Sequence, residues 1–280
     1  MVRSPSVAGQ FYEADPDRLR RQIEASFLHS LGPGELPTRG EKLEGDIVAC
    51  ISPHAGIMYS GACAAHVYSV LSRQKKPDKI VILGTNHTGI GGVSTSFEDW
   101  ITPLGVARVD REAITRLGIE VNEHAHRFEH SIEVQLPFLK YIWGDFEFVP
   151  ILVSPVPGAY DDLAERIAGL GDVLVIASSD FTHYGLNYGY LPFTDNPRER
   201  LRELDMGAIK KIVELDETGF NEYIARTGAT ICGAAPITSA IKAAKLLGAN
   251  SAELLKYTTS GDIVGDYSSA VGYAAIVFRK

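Results

Sequence analysis

Four runs of mainly apolar residues, rich in valine and isoleucine, recur along the chain, and each predicts a buried β-strand. They are residues 46–52, 79–84, 146–153 and 173–177. Small and apolar residues at 60–73 predict a helix between the first two runs, and another crossover helix is predicted at 159–170. A strand, a helix and a strand within about 40 residues form a βαβ unit, which implies a parallel sheet.

The remaining pattern predicts further helices and a few strands around this sheet. Asp15 and Pro16 are typical of a helix N-cap and first helical position, and apolar residues recur every four positions from Leu19 to Phe27, so a helix should continue to about residue 31. Pro137 is expected to kink a later helix. Further predictions are a surface loop at 32–45, short edge strands or a hairpin within 99–110, helices at 111–117, 131–143, 198–215, 217–226 and 234–247, and closing strands at 254–259 and 272–278.

Composition narrows the class of protein. The chain has 280 residues, of which 45% are apolar and 22% charged, and its formal net charge is −8. Such acidity argues against a broad surface for nucleic acid or anionic membrane, and no apolar run approaches the roughly 20 residues of a spanning helix or resembles a signal peptide. We expect one α/β domain over residues 1–280, with a central mostly parallel sheet and helices on both faces. We also expect a cytoplasmic location, with no nucleic-acid or membrane partner.

Polar, titratable residues follow three of the predicted strands. His54 comes two residues after the first strand, His87 three after the second, and Asp180 and His183 follow the strand at 173–177. Ligands of open α/β sheets bind beyond the carboxyl ends of the strands. An isolated histidine in such a loop is more often without function, but three segments in the same topological place predict a shared site.

The residue types at this edge suggest metal chemistry. Two neutral imidazoles and one anionic ligand are the usual set for non-haem iron; His54 and His87 would supply the imidazoles, and the anionic ligand could be Asp180 or Cys232. The three cysteines lack CxxC spacing and predict reduced thiols. Cys232 precedes Gly233 at the entry of the helix predicted at 234–247, whose N-terminus is expected to lower its thiol pKa. His183 suits a general acid or base.

A fourth segment contains three histidines, His124, His126 and His130. It is expected to be a loop that enters the helix at 131–143. His130 could reach the site from the start of that helix, whereas His124 and His126 are expected to be mobile loop residues.

Six segments together resemble the Memo family, in its prokaryotic form known beside AMMECR-type and radical-SAM proteins. They are RSPSVAGQFY at 3–12, PHAGIMYSG at 53–61, LGTNH at 83–87, EHSIEVQLPF at 129–138, SSDFTH at 178–183 and CGAAP at 232–236. The segments extend over nearly the whole chain in the expected order, and as a set they are highly specific.

The resemblance implies a fold similar to the LigB-type class III extradiol dioxygenases, which use non-haem Fe(II). It implies metal ligands at His54, His87 and Cys232. It places His183 as the acid/base histidine with Asp180 beside it, and His130 on the substrate side. The dioxygenases use a carboxylate as third ligand, whereas a thiolate is softer and also suits copper.

The expected function is therefore a metal-binding Memo-like protein, with Fe(2+) as the first choice of metal and Cu or Zn as alternatives. As an enzyme it would be a non-haem Fe(II) dioxygenase-like oxidoreductase acting on a small aromatic or phenolic molecule. A second hypothesis is a non-catalytic module that uses the same pocket to bind a metal and a peptide or protein partner, such as an AMMECR-like or radical-SAM protein. A third is zinc hydrolysis, since two histidines and one cysteine also form a catalytic zinc pattern.

Overall fold

The computed structural model describes residues 2–38, 47–154 and 162–280, and its strands form one mixed sheet. The strands are β1 Val2–Arg3, β2 Ile47–Ser52, β3 Lys79–Thr85, β4 Ser94–Thr95, β5 Asp99–Thr102, β6 Gly105–Val109, β7 Glu147–Val153, β8 Val173–Ser178, β9 His183–Gly185, β10 Ser251–Thr259 and β11 Ser269–Arg279. Their order in the sheet is β1-β5-β6-β7-β3-β8-β2-β11-β10, with β4 beside β7 and β9 beside β11. From β6 to β2 neighbouring strands are parallel, and β11 is antiparallel to both β2 and β10.

The helices pack against this sheet in two groups. They are α1 Pro16–Leu28, α2 Ile57–Ser72, α3 Arg111–Leu117, α4 Glu123–His126, α5 Gln135–Trp143, α6 Leu163–Ala168, α7 Pro197–Val213, α8 Glu217–Thr227, α9 Ala234–Leu246 and α10 Ser260–Val264. Helices α1, α2 and α5 contact one another, and α9 contacts α6 and α8. Strand β2 contacts both α2 and α9 and is buried at all 6 positions, so both faces of the sheet are covered there. The predicted α/β class is confirmed, and the arrangement is consistent with a LigB-like fold.

The local predictions agree with most of the described elements. The four apolar runs form β2, β3, β7 and β8, and the hairpin forms β5 and β6. Helix α1 begins at Pro16, where the Asp15 side chain accepts the Arg18 N–H at 2.9 Å, but it ends at Leu28, three residues earlier than expected. Parts of the predicted loop at 32–45, strand at 46–52 and helix at 159–170 fall on residues 39–46 and 155–161, which lie outside the described residues.

The helix predicted over residues 131–143 is shorter than expected, and Pro137 lies near its start instead of its middle. Helix α5 begins at Gln135, so Pro137 lies in its first turn. A backbone N–H has no partner within the helix at that position, and proline is tolerated there without a bend. Residues 131–134 form turns instead, which bring Ser131 against the carboxyl end of β3.

Asp205 of α7 is fully buried where this helix meets the last two long strands. Its carboxylate accepts the Tyr257 O–H at 2.7 Å and the Thr182 N–H at 3.2 Å. A Cβ at Gly272 would lie 2.0 Å from this carboxylate, so the close approach requires glycine. Burial raises the pKa of Asp205 from 3.8 to about 6, against the lowering effect of its hydrogen bonds.

This buried carboxyl predicts a specific dependence of stability on pH. Because its pKa is higher in the folded state, folding binds a proton between pH 4 and 6, and the contribution of this group to stability falls by about 3 kcal/mol as pH rises through that range. Asp205→Asn should therefore show a flatter profile of unfolding free energy from pH 4 to 7 in urea titrations. The matched control is Asp172→Asn at an exposed site, which should keep the wild-type profile. Equal profiles for Asp205→Asn and wild type would contradict the assignment.

Candidate metal centre

The central strands bring three of the predicted segments to one edge of the sheet. Strands β3, β8 and β2 are parallel neighbours in that order, so their carboxyl ends lie side by side. His87 follows β3, Asp180 follows β8 and His54 follows β2. A cavity of about 540 Å³ opens there, and His54, His87, His130, Asp180 and His183 all line it.

His54 is held in a single tautomer by its neighbours. Its Nδ1 lies 3.0 Å from Ser178 Oγ. The same hydroxyl oxygen lies 2.5 Å from the Ser131 carbonyl oxygen and accepts the Gln135 Nε2–H at 2.8 Å. The carbonyl can only accept, so the Ser178 hydroxyl donates to it and accepts from His54 Nδ1–H. The lone pair of His54 is therefore on Nε2, which lies 3.3 Å from Cys232 Sγ.

His87 is oriented by Glu129, a fully buried carboxylate. Glu129 accepts from His87 Nδ1 at 2.9 Å and from the backbone N–H groups of His87, His130 and Ser131 at 2.8, 2.8 and 2.9 Å. Burial alone would raise the pKa of Glu129, but these hydrogen bonds and the nearby imidazoles lower it to about 2. The carboxylate therefore stays ionised, holds the proton of His87 on Nδ1 and leaves Nε2 free.

His130 packs directly on the other two imidazoles. Its ring lies parallel to His87 with centroids 4.8 Å apart and perpendicular to His54 at 5.5 Å. Phe11, from the N-terminal segment, meets it edge-on at 4.9 Å. Burial lowers the pKa of His130, which favours the neutral ring.

His183 also lines the cavity, and its tautomer is fixed. Its Nδ1 is 3.1 Å from the Thr230 carbonyl oxygen, and its backbone N–H donates to Thr230 Oγ1 at 2.9 Å. A carbonyl accepts only, so Nδ1 carries the proton and Nε2 is free. Tyr188 meets the ring edge-on at 5.1 Å.

Asp180 and Cys232 complete the other side of His54. Asp180 Oδ1 accepts the backbone N–H groups of His54 and Ala55 at 2.8 and 3.2 Å. Burial raises the pKa of Asp180, and the nearby His183 opposes the rise. Cys232 precedes α9 next to Gly233, where a Cβ would lie 2.3 Å from Ser179 Cβ, so glycine allows this close approach to the end of β8.

The expected lowering of the Cys232 thiol pKa is wrong. Burial, followed by the negative charge of Asp180, raises this pKa above its ordinary value, and hydrogen bonds to the sulfur oppose the rise only in part. Desolvation of the thiolate therefore outweighs the position before α9. A metal ion can still displace a thiol proton, because its own charge then stabilises the thiolate.

Two sets of possible ligand atoms meet at His54 in the part of the chain that the structure describes. One is His54, His87 and His130, and the other is His54, Asp180 and Cys232; within each set the ligand atoms lie within 4.8 Å of one another. The expected ligands His54, His87 and Cys232 draw on both sets. The free Nε2 atoms of His54 and His87, together with one carboxylate and one thiol, are suitable ligands for a first-row metal ion.

Comparison with known proteins gives the family. The family model described as "Memo-like protein" matches residues 3–277. A MEMO1 family protein of Methanopyrus kandleri is 45% identical over all of both chains, and one of Desulfurococcus amylolyticus is 44% identical over 99% of this chain and 98% of its own. One of Sulfolobus acidocaldarius is 42% identical over 99% of each. The chain belongs to the Memo family.

Two histidines of the fourth segment of this Memo chain lie outside the cavity. His124 and His126 belong to α4, which Asn122 caps by accepting the Ala125 N–H at 3.0 Å. His124 is exposed, whereas His126 is fully buried beside Trp100, and burial lowers its pKa to about 4. The expected loop is therefore wrong for both residues, because the Asn122 cap starts a short helix.

Sequence reasoning missed the residues that orient the imidazoles. Glu129 stands between the histidines of the fourth segment, so its spacing was a usable signal. Gln135, in contrast, lies 43 positions from its partner Ser178, and Thr230 lies 47 positions from His183. Ser178 was part of a recognised segment but was given no role.

Among the described helices of this Memo protein, none is both long and apolar enough to cross a membrane.

Proposed function

We propose that this Memo-family protein binds one redox-active metal ion, Fe(II) in the first place, and uses it in oxygenase- or oxidase-like chemistry on a small aromatic or phenolic molecule. The observation that carries the proposal is His54: Ser178 fixes its tautomer, and its free Nε2 lies 3.3 Å from Cys232 Sγ beside two further imidazoles. The ligands are His54, His87 and Cys232. Copper and zinc suit the same atoms.

The bound ion would supply a Lewis-acidic, redox-active centre with positions open to a small substrate. His183 would hold or accept a substrate proton at Nε2, because Thr230 occupies its Nδ1. Asp180 would keep the His54 segment in place through two backbone N–H groups and lie beside the substrate.

Aromatic side chains support a planar substrate. Phe11, Tyr59, Tyr188 and Tyr273 line the cavity, and two of these rings already meet imidazoles edge-on. Edge-to-face contacts of this kind favour an aromatic guest by about 0.5–1.5 kcal/mol per pair beyond area burial.

The test is an anaerobic Fe(II) titration followed by oxygen-consumption measurements on the iron-loaded protein with a panel of catechols and other phenols. We expect one ion per chain and oxygen uptake with at least one phenol. If Fe(II), copper and zinc ions all fail to bind stoichiometrically, the metal centre is wrong. If metal binds but no phenol supports oxygen uptake, and an AMMECR-like or radical-SAM protein binds tightly, the pocket serves a binding module instead.

A further inference from the structure

Three imidazoles meet at the cavity as a compact group. His87 and His130 are stacked with an interplanar angle of 11°, and His54 stands nearly perpendicular to both, at 85° and 87°. Their ligand nitrogens lie within 4.8 Å of one another. All three line the cavity, and Asp180 lines it beside them.

Side chains behind the rings also orient them toward a shared metal ion. His54 is held at Nδ1 by Ser178, and His87 is held at Nδ1 by Glu129. Nδ1 of His130 lies 3.6 Å from the same Glu129 carboxylate. A carboxylate that orients histidines from behind is the usual support of a metal-bound imidazole, because it fixes the ring and raises its basicity.

We propose that His54, His87 and His130 form a three-imidazole site for a divalent ion such as Zn²⁺, Co²⁺ or Cu²⁺, in which His130 is a metal ligand. The inference rests on the proposed metal centre and extends its set of ligands. His54 has only one free nitrogen. It therefore cannot bind one ion beside His87 and His130 and a second ion beside Asp180 and Cys232 at the same time. An ion held by His54 and His87 therefore takes either Cys232 or His130 as its further ligand, and imidazole ligands suit these borderline metals.

The experiment follows cobalt by its visible spectrum and by competition with a chelator. Cys232→Ser should still bind one Co²⁺ per chain, within about tenfold of the wild-type affinity, and should lack sulfur-to-cobalt charge-transfer absorption. Adding His130→Ala to Cys232→Ser should lower the affinity by at least about tenfold. The matched control adds His124→Ala, an exposed histidine of α4, and should change nothing.

Each other outcome has a definite meaning. If the wild type binds Co²⁺ and Cys232→Ser does not, the three-imidazole site is wrong while the metal centre stands. The three-imidazole site is equally wrong if Cys232→Ser with His130→Ala binds as well as Cys232→Ser alone. If not even the wild type binds Co²⁺, both proposals fail together. Circular dichroism of each variant identifies any loss of fold, and His130→Gln replaces His130→Ala if the alanine variant unfolds.

Discussion

Replacement of His54 by alanine is expected to lower the affinity of the protein for Fe(II) or Co²⁺ by at least about 100-fold. Loss of a residue that only hydrogen-bonds a metal ligand lowers metal affinity by about 10- to 100-fold, and loss of the ligand itself should cost more. The reason is its position: His54 is the one residue that both sets of ligand atoms share. Removing Cys232 or His130 leaves one complete set, whereas removing His54 leaves neither. The effect should therefore exceed that of any other single ligand substitution.

The measurement is anaerobic metal titration against a competing chelator. His124→Ala is the matched control, since it removes an exposed histidine from the same chain without touching the cavity. The backbone N–H that His54 donates to Asp180 survives in the alanine variant, so the loop should keep its path. Retention of wild-type affinity by His54→Ala would refute the site as a whole.

Substitution of Arg3 by methionine should destabilise the protein by about 3–5 kcal/mol, the usual effect of leaving one member of a buried ion pair unpaired. Arg3 is 4% exposed, and its guanidinium lies 2.8 Å from Glu133, which is fully buried. The same guanidinium donates to the carbonyl oxygens of His126 and Glu129 at 2.8 and 2.6 Å and lies 3.8 Å over the Trp100 ring. All these partners would lose a donor or a contact at once.

Equilibrium unfolding in urea measures this change. The control is Arg111→Met, which removes a half-exposed guanidinium that pairs with Asp99 at 3.0 Å, and surface pairs of this kind contribute about 0–1 kcal/mol. An unfolding free energy for Arg3→Met within about 1 kcal/mol of wild type would show that the pair does not stabilise the fold.

The sheet and its functional edge were predictable because their signals are local. Apolar runs mark β2, β3 and β8, and the rule that parallel strands present their carboxyl ends together places His54, His87 and Asp180 near one another. Cys232 gave only a weak local signal. Its selection as a ligand came from resemblance, and its role and those of the other ligands remain predictions.

The rest depends on partners far apart in the chain. Glu133 accepts from Arg3, from the backbone N–H groups of Ser6 and Val7, and from the Tyr12 O–H at 2.6 Å, which attaches the N-terminal segment to a region about 120–130 positions later. No periodicity in residues 2–12 indicates that contact. The raised pKa of Cys232 likewise follows from burial, which only the packed structure reveals.

The order of strands in the sheet also has a consequence for synthesis on the ribosome. His54 and Cys232 are 178 positions apart, so at about 5–20 residues per second roughly 10–35 s pass between their appearance. Strand β2, which carries His54, lies between β8 and β11, and β11 is made last. Val271 and Tyr273 of β11 line the cavity, so its wall cannot be complete until this strand has been synthesised.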